Sequence, residues 1–174
     1  KESMPKSFHK KIRVITNPFE KKIKINKKDA RNKICKILNI NSKNYIFSMI
    51  GTINFQKRPL IALKAISLLK KKGINTTIIF AGKVSEKNKK YLENEIKKQN
   101  LTDNARIVGF QVDINKFLLG SDFILAPAIN EGFGRVLIEA MLCKTAIIAS
   151  NHGGHKEIIK NNYNGLLTKP DCYQ

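Results

Sequence analysis

The sequence contains no tryptophan and only three cysteines, Cys35, Cys143 and Cys172. They are odd in number, far apart, and form no Cys-x-x-Cys pair. This argues against a disulfide framework and a zinc site, and makes reduced cytosol the expected compartment. Aromatic residues are only 7% of the chain, so the core must be aliphatic, chiefly isoleucine. No apolar run approaches the roughly 18 residues a membrane span requires. Lys1-Glu2-Ser3-Met4-Pro5 opens no signal-peptide core. Acidic residues are also few: 13 Asp and Glu face 33 Lys and Arg, a net charge of +20.

That charge would draw phosphates, nucleic acid or anionic lipid. Its make-up points elsewhere. Lys supplies 28 of the 33 cations, and Lys, Ile and Asn together make up 71 of 174 residues. An AT-rich coding sequence enriches all three whatever the function. Sequence-specific readers of nucleic acid lean on the planar fork of Arg, and Arg occurs only five times. The excess is therefore read as solvated lysine faces, with no specific nucleic-acid partner. An anionic inner membrane surface is left open as a second partner for it.

At 174 residues the chain can bury one domain core. Continuous apolar runs at Tyr45–Ile50, Thr76–Ala81, Phe123–Ala126 and Thr145–Ala149 predict buried parallel strands, and Leu166–Thr168 a short last one. Helical periodicity lies between them. Pro59–Lys72 carries Leu60, Leu63, Ile66 and Leu69 on one stripe, with proline in the first turn and Gly73 as the stop. Ser85–Gln99 is a second helix with Ser85 as cap, and Lys27–Leu38, Asp113–Leu119 and Phe133–Cys143 are further ones. Lys11–Thr16 has strand character before the Asn17-Pro18 turn. The β-α-β-α alternation predicts an α/β fold with a doubly wound, Rossmann-like, mostly parallel sheet. A domain of that kind ending on a strand suggests a truncated C-terminus.

In such a sheet ligands bind at the carboxyl ends of the strands, where amides at helix N-termini face the crevice. Two segments occupy that position. Gly51-Thr52-Ile53-Asn54-Phe55-Gln56-Lys57-Arg58 follows the Tyr45–Ile50 strand. It lacks the second glycine and the hydroxyl of a Walker loop, and by itself reads first as a turn before exposed basic residues. Glu131-Gly132-Phe133-Gly134-Arg135 follows Phe123–Ala126 and opens a helix that carries Glu139. Two glycines around one aromatic expose amides to a diphosphate. The two carboxylates suit vicinal hydroxyls: one for a sugar, one for a ribose. Alternatively Glu139 is exposed at the edge of the helix stripe; among apolar neighbours it would need a partner.

The segment Glu131–Glu139 resembles the Glu-x7-Glu signature of the large family of retaining GT-B glycosyltransferases known as glycosyl transferases group 1. Other blocks agree in order and spacing. Ile12–Pro18 is similar to the crossing from acceptor to donor domain. Gly51-Thr52-Ile53 with Lys57 resembles a Gly-Arg-Leu-x-x-x-Lys segment. Ile107-Val108-Gly109-Phe110, Ser121-Asp122 and Gly153-Gly154-His155-Lys156-Glu157-Ile158 resemble three more. The likeness covers roughly residues 11 to 170.

The resemblance implies the C-terminal half of a GT-B fold, with 1–20 as the end of the acceptor domain and linker and 21–174 as the donor-binding domain. It implies a hexosyltransferase fragment of polysaccharide or lipopolysaccharide synthesis, cytoplasmic or at the inner membrane face. The donor would be a UDP- or GDP-sugar, the acceptor a glycan or lipid-linked sugar, and no cofactor or metal is expected. Lys57 and Glu131 would be the catalytic pair: Lys57 on the diphosphate, Glu131 on the donor sugar. Gly51, Thr52 and Arg58 would line the same end, with Thr52 where the family has a phosphate-binding Arg. Gly132 and the amides of Phe133, Gly134 and Arg135 would hold the distal phosphate, and Glu139 the ribose diol. Val108 and Gly109 would cup the base. The implied mechanism is front-face attack, in which the departing diphosphate helps deprotonate the acceptor. The chain alone, without an N-terminal acceptor domain, is expected to bind donor but not to turn it over. The alternative is a basic polyanion-binding module without catalysis.

Overall fold

The computed structural model describes residues 25–173; the strand expected at Lys11–Thr16 and the linker assigned to 1–20 lie outside them. The chain runs α1 (Lys27–Leu38), β1 (Tyr45–Ile50), a 3-10 turn (Phe55–Lys57), α2 (Pro59–Lys71), β2 (Thr76–Ala81), α3 (Glu86–Lys98), β3 (Ala105–Gly109), α4 (Asn115–Gly120), β4 (Phe123–Ala126), α5 (Arg135–Leu142), β5 (Ala146–Ser150), α6 (His155–Ile158) and β6 (Leu166–Thr168). The six strands form one sheet in the order β3-β2-β1-β4-β5-β6, every pairing parallel.

Strand alternation divides the core in two. Ile46 and Ile50 of β1, Ile79 of β2, Ile124 of β4 and Ile147 of β5 face α1, α4 and α5. Phe47, Met49, Ile78 and Phe80 face α2 and α3, whose Leu63, Ile66, Leu92 and Ile96 complete the second layer. A sheet buried on both faces reads as unbroken apolar runs, and that made β1, β2 and β4 visible in the sequence. β3 escaped because it is an edge strand, mostly half-buried, with Arg106 in its middle. The Arg106 guanidinium donates to the carbonyls of Leu38, Asn39, Thr102 and Asp103. It therefore anchors the strand by hydrogen bonds and not by apolar burial.

Arg31 does similar work at the opposite pole from the site. It donates to the carbonyls of Ser42, Asn44 and Gly120 and pairs with Asp122 at 2.9 Å. Asp122 also accepts from the Ile46 amide at 2.8 Å, so one cluster ties α1, β1 and the α4–β4 junction together. Arg31→Met should lower stability by about 2 kcal/mol, since several charge-assisted bonds are lost and the Asp122 carboxylate loses its cation. The urea midpoint would report it.

Candidate functional site

The strand order changes direction between β1 and β4. The chain leaving β1 turns to α2 on one face, and the chain leaving β4 turns to α5 on the other. Their loops diverge and leave a crevice at the carboxyl ends of the two strands, the position where open α/β sheets bind ligands.

The β1 loop is shaped by close backbone approach. Gly51 has φ +119° and Gly82, just past β2, has φ +156°. A Cβ on Gly82 would lie 1.7 Å from the Gly51 carbonyl oxygen. The strand ends can touch there because residue 82 has no Cβ, while the positive φ of Gly51 suits glycine. The contact is secured by Gly51 N–H to Ala81 at 2.9 Å and Ile53 N–H to Lys83 at 2.8 Å. Asn54 then caps the 3-10 turn, its side chain accepting from the Lys57 amide at 3.0 Å. Lys57 is thereby delivered to the crevice. Arg58, left-handed at φ +56°, reverses the chain into α2. It pairs with Asp171 and lines a separate groove with Phe55, Pro59 and Lys64. Arg58 does not line the crevice that holds Lys57, so the structure does not bring it to the expected subsite.

Across the crevice the β4 loop presents Glu131, whose carboxylate is ion-paired with the Lys57 ammonium. Gly134, at φ +75°, is the N-cap of α5 and as a glycine brings no side-chain cap of its own. The positive end of α5 faces the crevice and can take an anion. Glu139 sits one turn in, 27% exposed and 3.9 Å from the Arg135 guanidinium. It belongs to the cleft wall, which it shares with Ile50, Ile114 and Val136.

Gly51, Thr52 and Lys57 from one side and Glu131, Phe133, Gly134, Arg135 and Glu139 from the other enclose a cleft of about 640 Å³. Lys83, Phe110 and Gln111 also line it. Val108 and Gly109 are in a neighbouring hollow of about 490 Å³ that shares Lys83 and Phe110 with the first. The two hollows form a trough from the Lys57–Glu131 pair to the end of β3. Lys83, Phe110 and the Gly82 contact were missed in the sequence. A glycine directly after a strand, as at Gly51, was the available signal for Gly82.

Gly132 does not line the trough, and its carbonyl lies against the turn that leaves β5. Cβ atoms on Gly153 and Gly154 would meet the carbonyl oxygens of Glu131 and Gly132 at 2.6 and 2.5 Å. His155 is buried under Gly134, with Nδ1 against Ser150. Burial lowers its pKa; the Ser150 backbone bond and Glu131 oppose that shift, while Lys57 and His152 add to it. The unfolded chain therefore takes up the proton first, and the fold loses stability as pH drops below 6.5.

The site brings together the start of α5, a lysine and two carboxylates, groups with the chemistry to take an anion and hydroxyl groups. Against known proteins, the sequence model of the family described as Glycosyl transferases group 1 matches residues 30–174. The chain belongs to that family. Its relatives include an uncharacterized glycosyltransferase of Methanocaldococcus jannaschii, 30% identical over 89% of this chain and 43% of the relative. A UDP-Gal:alpha-D-GlcNAc-diphosphoundecaprenol alpha-1,3-galactosyltransferase of Escherichia coli is 27% identical over 82% and 36%. The chain thus spans less than half the length of these relatives.

Among solved group 1 relatives and other neighbours, HepE of Anabaena in complex with UDP and glucose superimposes with a TM-score of 0.75. It is 26% identical, over 84% of this chain and 40% of HepE. The C-terminal domain of the group 1 protein LpcC from Francisella tularensis gives 0.70 at 27% identity, over 86% and 82%. The fold is a Rossmann-like α/β sheet that matches GT-B glycosyltransferase structures.

Proposed function

We propose that this chain is the nucleotide-sugar-binding half of a retaining hexosyltransferase. The supporting observation is the meeting of Lys57 and Glu131 across the switch-point crevice, beside the start of α5. A UDP- or GDP-sugar lies along the trough with its base over Val108 and Gly109 and its ribose diol on Glu139. Its diphosphate rests on Lys57 and the amides at Phe133 and Gly134, and its sugar hydroxyls on Glu131. HepE, solved with UDP and glucose, supports that choice of ligand class.

Chemistry then consists of leaving-group stabilisation. The bond from the anomeric carbon to the diphosphate oxygen breaks, and the electron pair stays on the diphosphate. Lys57 and the α5 dipole face the growing charge. The acceptor oxygen attacks from the same side and its proton passes to the departing diphosphate, so configuration is retained. The carboxylates serve as hydroxyl ligands. The acceptor is a glycan or lipid-linked sugar held by an N-terminal domain, and the chain alone binds donor without transferring it. No helix among the described residues is long and apolar enough to cross a membrane. The basic surface is the element that meets an anionic inner leaflet.

Calorimetric titration of UDP and GDP into wild type and Glu139→Ala tests this. One nucleotide should bind saturably, and the substitution should weaken it at least about tenfold, the order expected for losing charge-assisted bonds to a diol. The net charge of +20 favours one competing reading, a polyanion-binding module. That reading requires equal, steeply salt-dependent binding of both nucleotides, indifferent to Glu139.

A further inference from the structure

The Ala128–Gly134 loop carries Glu131 and the start of α5, yet the turn after β5 braces nearly every residue of it. The Ser150 hydroxyl donates to the Ala128 carbonyl. The Asn130 amide donates to Nδ1 of His152 at 3.1 Å. The Gly154 amide donates to the Glu131 carbonyl at 2.8 Å, and Gly153 and Gly154 press on Glu131 and Gly132. The His155 ring closes the row: a Cβ on Gly134 would lie 3.0 Å from its Cδ2.

The two imidazoles must be opposite tautomers. Nδ1 of His155 lies 3.2 Å from the Ser150 carbonyl, which only accepts, so His155 carries its hydrogen on Nδ1. Nδ1 of His152 accepts from a backbone N–H, so it is bare and the hydrogen is on Nε2. Protonation of His155 would place a cation under Gly134 in a buried site. The charged and titratable groups near His155 are Glu131, which favours that cation, and Lys57 and His152, which oppose it.

We propose that His152 and His155 are positioning residues for donor binding, whose rings hold the Ala128–Gly134 loop in the shape that accepts a diphosphate sugar. The proposal rests on the donor-site reading above. It gives two residues outside the cleft a direct effect on affinity.

The test is calorimetric titration of the full 174-residue chain with UDP-glucose and with GDP-mannose at one pH. His152→Leu should bind about tenfold more weakly than wild type, with an unchanged thermal melt showing an intact fold. His152→Asn keeps an acceptor near the Nδ1 position and should restore binding to within about twofold of wild type. Equal binding by wild type and His152→Leu, or no rescue by His152→Asn, would overturn the positioning role while leaving the donor site standing. If neither nucleotide sugar binds wild type, the donor-site reading itself fails, and this inference with it.

Discussion

Lys57→Ala should weaken nucleotide binding to this chain by at least about tenfold and, in the proposed transferase that contains it, lower kcat about 10²- to 10³-fold. Two effects add. The substitution removes the cation proposed to face the diphosphate. It also leaves the Glu131 carboxylate, now paired with Lys57 and 23% exposed, as an uncompensated negative charge beside an incoming anion. The partner substitution separates the two effects. Glu131→Gln frees the Lys57 ammonium from its ion pair while keeping the side chain's shape. UDP or GDP alone should then bind as well as or better than to wild type, although sugar transfer by the proposed transferase falls. Opposite movements in nucleotide affinity mark a carboxylate assigned to sugar hydroxyls and a lysine assigned to phosphate. Arg58→Ala should change little, because Arg58 pairs with Asp171 beside another groove. If Lys57→Ala and Arg58→Ala cost the same, the crevice is not the phosphate site and surface charge alone attracts the nucleotide.

What could be read in the sequence was what burial and local chemistry dictate. Unbroken Ile-rich runs reported strands covered on both faces. Pro59 and Ser85 marked helix starts, and Glu131-Gly132-Phe133-Gly134 marked the turn into α5 at the end of β4. The order β3-β2-β1-β4-β5-β6 was not readable, because parallel pairing leaves no mark on neighbouring residues. The crevice between β1 and β4 follows from that order alone. Side-chain direction was also hidden. Lys57 and Arg58 are adjacent cations, and only the left-handed backbone at Arg58 shows that one enters the cleft and the other leaves it. His152 and His155 flank the Gly153-Gly154 pair, and what they brace lies beyond any local pattern: Asn130, 22 residues from His152 in sequence, and Gly134 over the His155 ring.

Gly82→Ala should be the most damaging single-methyl change outside the cleft's charged groups, costing about 3 kcal/mol or more of stability and abolishing nucleotide binding. The added Cβ would stand 1.7 Å from the Gly51 carbonyl oxygen and 2.4 Å from its carbon. Both are backbone atoms, so no rotamer change relieves the clash; either β1 or β2 must move at its carboxyl end. The neighbouring bonds from Gly51 to Ala81 and from Ile53 to Lys83 would be strained with it, and Thr52 and Lys57 would be displaced from the crevice. Gly73→Ala is the matched control. Gly73 is also left-handed, at φ +73°, but has nothing within 4 Å of a Cβ. It should cost only about 1 kcal/mol, the conformational strain of alanine in that region. A large difference between the two would show that crowding of the β1 and β2 ends, beyond backbone angle, places Lys57 opposite Glu131. Equal costs would mean the strand ends are slack, and the Asn54-capped turn alone would then have to hold Lys57 in place.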